Sequence, residues 1–120
     1  MERTPDSNLI HYSILTNGLL IDEIHNNIPH VIKQLVKLGV SIDGATKDTY
    51  EQLRLGGSWK KIQYNLDFIK ELKQEYNFTF ELHMVVQKDN WKEMPTMLKL
   101  ADQFNNYITN TENLNLEIAN

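Results

Sequence analysis

The chain has 120 residues, 41% of them hydrophobic and 23% charged, with a net charge of −4; that suits one modest globular domain and argues against nucleic acid, whose phosphates call for clustered Lys and Arg. No apolar run reaches the roughly 18 residues of a membrane span, and the opening "MERTPDSNLIHYS" lacks the apolar core of a secretory signal. Zero cysteines exclude disulfides, thiol catalysis and cysteine-ligated clusters on this chain, and a reducing, cytoplasmic setting is the expectation.

In chain order, residues 1–8 are polar and expected to be irregular. "LIHYSIL", residues 9–15, reads as a short strand that breaks at Thr16-Asn17-Gly18. "LLIDEIHNNIPHVI", residues 19–32, carries Leu20, Ile21, Ile24 and Ile28 at helical spacing. It predicts a short helix that ends near Pro29, because a proline restricts the residue before it. "IKQLVKLGVSID", residues 32–43, predicts the next strand, nearly continuous in apolar character and so expected to be covered on both faces.

Asp48 and Glu51 have the spacing of a capping box for a short helix through Arg54, stopped by Gly56-Gly57. Ser58 then caps a long helix over about residues 59–75, with Trp59, Ile62, Leu66, Ile69 and Leu72 on one stripe. "NFTFELHMVV", residues 77–86, alternates Phe78, Phe80, Leu82 and Met84 and is the strongest strand signal. Asn90 and Glu93 read as another cap, followed by a helix with Met94, Met97, Leu98, Ala101 and Phe104 on its apolar face. Pro95 belongs in that helix's first turn. Residues 105–113 are expected to be irregular, and "LNLEI", residues 114–118, predicts a last strand. No internal repeat or linker divides the chain, so residues 1–120 read as a single domain.

Strands alternating with helices predict an α/β fold with parallel strands. In such sheets ligands gather at the carboxyl ends of strands. Three of those ends are polar: Thr16-Asn17-Gly18, Ser41-Ile42-Asp43-Gly44, and Gln87 to Asn90. Parallel pairing would bring them to one rim.

Other patterns carry less. Gly56-Gly57-Ser58 lacks the Lys-Ser or Lys-Thr of a phosphate loop. His11, His25, His30 and His83 lack metal-ligand spacing. Met84, Met94 and Met97 read as core filler, and adjacent Asp22 and Glu23 point different ways on a helix.

"LTNGLL" at 15–20, "SIDGATKDTYEQLRLGG" at 41–57, "WKKIQYNLDFIKELK" at 59–73 and "MVVQKDN" at 84–90 together resemble the second half of a radical SAM core, in the subfamily with SPASM or twitch extensions. The resemblance spans about residues 10–104. It implies a partial (β/α) barrel, the carboxyl-side half of a radical SAM barrel. S-adenosylmethionine (SAM) would lie across its strand ends and chelate a [4Fe–4S] cluster that cleaves it to a 5′-deoxyadenosyl radical. In that family a CxxxCxxC loop after the first strand holds the cluster. Here there is no cysteine, and the first strand matches the family's fourth.

By this resemblance Ser41 would lie near the polar part of SAM and Arg54 would meet its carboxylate. Val86 would offer backbone groups to the adenine. Asp43 and Asn17 would face the cavity, on SAM or on substrate. The chain is thus expected to be a fragment that is not catalytic alone, with neither SAM nor cluster stably bound. The alternatives are a stand-alone binding or scaffold module, and one half of a two-chain enzyme. The missing half would also leave the first strand's edge open and uncover inner residues such as Leu38, Val40, Leu82 and Met84, depending on register. Self-association is the expected remedy.

Overall fold

The computed structural model describes residues 10–106 and 113–118. Four strands form one sheet in the order of the chain: β1 (Tyr12–Thr16), β2 (Leu35–Ser41), β3 (Thr79–Val86) and β4 (Asn113–Ile118). Every neighbouring pair is parallel. Helices fill each connection among the described residues: α1 (Ile21–Asn27) and α2 (Pro29–Lys33), then α3 (Lys47–Leu53) and α4 (Trp59–Glu75), then α5 (Met94–Asp102). The α/β alternation is as expected.

Several boundaries differ from the sequence expectation. The first strand starts at Tyr12, and Leu9 lies outside the described residues. Pro29 does not simply end a helix. Ile28 before it adopts an extended φ of −138°, and Pro29 opens a second short helix. A proline restricts its predecessor but is preorganised for the first helical position. That helix takes Ile32 and Lys33 away from the predicted strand, so β2 begins at Leu35.

The cap of α3 is Thr46, whose hydroxyl accepts the Thr49 N–H, and not Asp48. Glu51 does not close a capping box. Its carboxylate accepts the Trp59 N–H at 2.9 Å, at the start of α4. Ser58 caps α4 as expected, accepting the Lys61 N–H at 3.2 Å. Asn90 precedes a 3-10 turn (Trp91–Glu93) without capping it, and Pro95 lies in the first turn of α5. Asn105 and Asn106 belong to a second 3-10 turn (Gln103–Asn106), and Asn113 opens β4. The rest of the segments expected to be irregular lies outside the described residues.

One face of the sheet makes the core. Leu38 and Val40 from β2 and Phe80, Leu82 and Met84 from β3 are buried with Ile62, Leu66, Ile69 and Leu72 of α4. Met97, Ala101 and Phe104 close the other end, with the Phe80 and Phe104 rings stacked at 4.2 Å between centroids. Truncating one of these, such as Ile69→Ala, costs about 2–5 kcal/mol.

This placement corrects the expectation about uncovered residues. Leu38, Val40, Leu82 and Met84 lie on the covered face and are all essentially buried. Strand alternation therefore puts Lys37, Gly39, Glu81 and His83 on the opposite face, which is largely polar. Among the described residues no layer packs on that second face, which corrects the reading of β2 as covered on both sides. Gly39 is shielded by the Leu15 and His83 side chains of neighbouring strands.

Candidate functional site

Parallel pairing brings the three polar strand ends to one rim. At the end of β1, the Thr16 hydroxyl accepts the Gly18 N–H at 3.1 Å and the Asn17 side-chain oxygen accepts the Leu19 N–H at 3.0 Å. Gly18 has φ +82°, and a Cβ there would lie 2.7 Å from Ile62 Cδ1. Only glycine suits that turn. Asn17 is exposed, and its side chain is engaged with its own loop.

The loop after β2 is more strongly tied. The Ile42 N–H donates to the His83 carbonyl at 2.9 Å, extending the contact with β3 past Ser41. Asp43 then reaches two neighbours. Its Oδ1 accepts the Val85 N–H at 3.1 Å, and its Oδ2 lies 3.5 Å from Arg54 Nη2. The same Nη2 donates to the Ser41 carbonyl at 3.3 Å. Arg54 caps the end of α3, so this helix aims its cation back at the strand end.

Asn90, 1% exposed, stitches the two loops together. Its Nδ2 donates to the Asp43 and Val85 carbonyls, each at 2.9 Å, and its Oδ1 accepts the Gln87 N–H at 2.8 Å. Glu93 adds a second stitch. Its carboxylate accepts from the Ala45 N–H at 2.6 Å, the Thr46 hydroxyl at 2.8 Å and the Thr49 hydroxyl at 2.6 Å. Partial burial opposes its ionisation, but these hydrogen bonds outweigh burial and hold its pKa below the ordinary glutamate value. Tyr50 lies under the loop, fully buried, and its hydroxyl has no hydrogen-bond partner. Burial pushes its pKa up, partly countered by Arg54.

Four of the five site residues read from the sequence thus converge on the ends of β2 and β3. Ser41, Asp43 and Arg54 are in direct contact. Val86 is the last residue of β3, largely buried, and pairs with Ile118 of β4. Asn17 stands at the end of the adjacent strand, without a bond to the other four. Asn90, Glu93 and Tyr50 were missed as parts of the rim. Asn90 and Glu93 have the spacing of a cap for the following helix, but the Glu93 partners lie 44 to 48 residues away, and Asn90 ties its own loop at Gln87 and Val85 to Asp43, 47 residues away.

The rim suits an anion better than a cation. Arg54 Nε is buried without a partner while Nη2 is divided between Asp43 and Ser41. Nε is closed to solvent, so a ligand carboxylate of an amino-acid-like group would have to meet the terminal nitrogens of this guanidinium. An iron–sulfur cluster does not fit, because the sequence has no thiolate to hold it. Among the described residues, no group of three or more His, Asp or Glu side chains could hold a metal ion. No helix among them is long and apolar enough to cross a membrane.

No family model, no curated protein and no solved structure matches this chain.

Proposed function

We propose that this chain is the carboxyl-side half of a radical SAM core, carrying the SAM-binding rim without the cysteines for the cluster. The observation that carries the proposal is the meeting of Ser41, Asp43 and Arg54 at the ends of parallel strands. Arg54 would hold the SAM carboxylate. The Ser41 end of β2 would face the polar part of the cofactor, and the backbone at Val86 the adenine. Bound with a cluster from another half, SAM would supply a radical that abstracts hydrogen from a substrate.

The coding DNA immediately upstream tests this. A segment encoding CxxxCxxC is expected in frame or in an adjacent gene. When such a half is joined to this chain, Arg54→Ala should weaken SAM binding while leaving the fold intact. An upstream region with neither arrangement would move the assignment to a stand-alone binding module. One observation already favours that second reading: the core packs on the helical face, and the face that a missing half would cover is mostly polar.

A further inference from the structure

The face of the sheet left uncovered among the described residues holds a second polar cluster, apart from the rim. Ser13 pairs with Lys37, Leu15 with Gly39, and Gly39 with Glu81. Strand alternation puts all of these on one face, with His83 two residues beyond Glu81. Ser13, Ile14, Leu15, Lys37, Gly39 and His83 line a cavity of about 260 Å³. Glu81 joins the cluster together. Its Oε2 lies 3.1 Å from Lys37 Nζ, and its Oε1 lies 3.0 Å from His83 Nε2.

Such a trio could be no more than a solvated ladder of charges on a sheet. Two features set it apart. The Glu81 and His83 side chains are only 13% and 19% exposed. And Gly39, with no side chain, lets His83 and Leu15 close over the strand beside the cavity. A Cβ at Gly39 would lie 3.0 Å from His83 Nε2 and 3.1 Å from Leu15 Cδ1. Any side chain at this position would push His83 or Leu15 out of place.

The groups left unused in the cavity are mainly donors. An ionised carboxylate only accepts, so His83 Nε2 carries the hydrogen in its contact with Glu81. Glu81 has both oxygens engaged, and Lys37 has ammonium hydrogens beyond the one given to Glu81. The Ser13 hydroxyl is on the same wall.

We propose that this cavity binds the oxyanion of a small acidic ligand, a carboxylate or a phosphate, through Lys37 and Ser13 beside His83, with Glu81 positioning the Lys37 ammonium and the imidazole. The site does not depend on what the rim binds. The test is a titration of the whole chain with sodium acetate and, separately, with inorganic phosphate, followed by amide and methyl NMR spectra. Saturable shifts are expected at Ser13, Lys37, Gly39 and His83, while the methyl signals of Leu38 and Leu82 on the covered face stay in place. Lys37→Met should weaken binding roughly ten-fold, the loss of one charge-assisted contact. Gly39→Val should abolish it, and Arg54→Ala should leave it unchanged. Saturation by acetate points to a carboxylic ligand, and saturation by phosphate alone to a phosphorylated one. The proposal is overturned by the absence of saturable shifts up to tens of millimolar. It is equally overturned by shifts that survive Lys37→Met but vanish in Arg54→Ala, which would put the anion at the rim.

Discussion

Arg54 and Asp43 face each other across the rim, Nη2 to Oδ2 at 3.5 Å, with both side chains mostly covered. Asp43 therefore occupies the guanidinium that a ligand carboxylate would need. A ligand at Arg54 must compete with this internal carboxylate. Asp43→Asn removes the charge but keeps an oxygen to accept the Val85 N–H. The expected result is tighter binding of SAM, by several-fold, in an assembly that includes the cluster half. Stability should change by less than about 1 kcal/mol, since a partly exposed pair contributes little. Calorimetry and a thermal melt measure both. Weaker binding in Asp43→Asn would mean that Asp43 belongs to the ligand site as a direct contact.

Glu93 gives the rim an acid-sensitive stitch. Its pKa is lowered in the folded state, so its contribution is present above the ordinary value of 4.5 and is lost as pH falls from there through the folded value. Asp22, held down by its hydrogen bond from Lys61, and Glu51, held down by the Trp59 N–H, respond in the same direction. The comparison must therefore be with Glu93→Gln. At neutral pH this variant should lose about 1–3 kcal/mol, because Thr46, Thr49 and the Ala45 N–H lose a charged acceptor. In acid the gap between the two proteins should close. Urea denaturation across the acid range checks this, and a pH-independent gap would remove the carboxylate from the explanation.

The parts of this fold that were legible in the sequence are those set by short-range pattern. Ile62, Leu66, Ile69 and Leu72 repeat at helical spacing, and Ser58 stands where a cap must be, so the pattern places α4 at about residues 59–75, where it lies. Phe80, Leu82 and Met84 alternate, so β3 and its buried side were clear. The covered side of the whole sheet was not. It depends on how the polar residues Lys37, Glu81 and His83 line up across strands, which is a matter of register between separate segments. The rim shows the same limit. Asp43 and Arg54 are eleven positions apart within one recognisable motif, whereas Glu93 and Asn90 reach it from a distant segment and bear the sequence pattern of a cap.

Gly44 is where the rim leaves least room. A Cβ there would lie 2.4 Å from the Tyr50 backbone N and 2.7 Å from its Cα. Those atoms belong to α3 and cannot swing aside like a side-chain end. Gly44→Ala should push α3 away from the loop, disturb the Arg54 contact, and cost about 1–3 kcal/mol by overpacking. Gly56→Ala is the control. Its site is open, and only its φ of +81° opposes a side chain, at about 1–2 kcal/mol. Both should lose stability in chemical denaturation, but only Gly44→Ala should shift the NMR signals of Ser41, Asp43 and Val85. Unchanged rim signals in Gly44→Ala would show that α3 yields without moving Arg54.

The edge of β1 is where self-association is expected. Among the described residues, β1 has a strand on one side only. The Tyr12 N–H donates to the Gln34 carbonyl, on the β2 side, at 3.1 Å. Backbone direction alternates along a strand, so the N–H groups of Ser13 and Leu15 point to the outer edge. Among the described residues, strand alternation puts on the uncovered face only two exposed large apolar side chains from β1 and β3, Leu15, 65% exposed, and Val85, 36% exposed. Burying such residues yields only about 25 cal/mol per Å², so face-to-face stacking has a weak drive. Unpaired strand edges are the stronger template. The purified chain is expected to self-associate through β1, with an average mass that rises with concentration in sedimentation equilibrium. Leu15→Pro removes one outward N–H and spares the ladder to β2, and edge strands tolerate proline in that place. It should return the chain to a folded monomer, whereas Val85→Ser, on β3, should not. A wild-type chain that stays monomeric at high micromolar concentration would show that β1 is protected without a second copy.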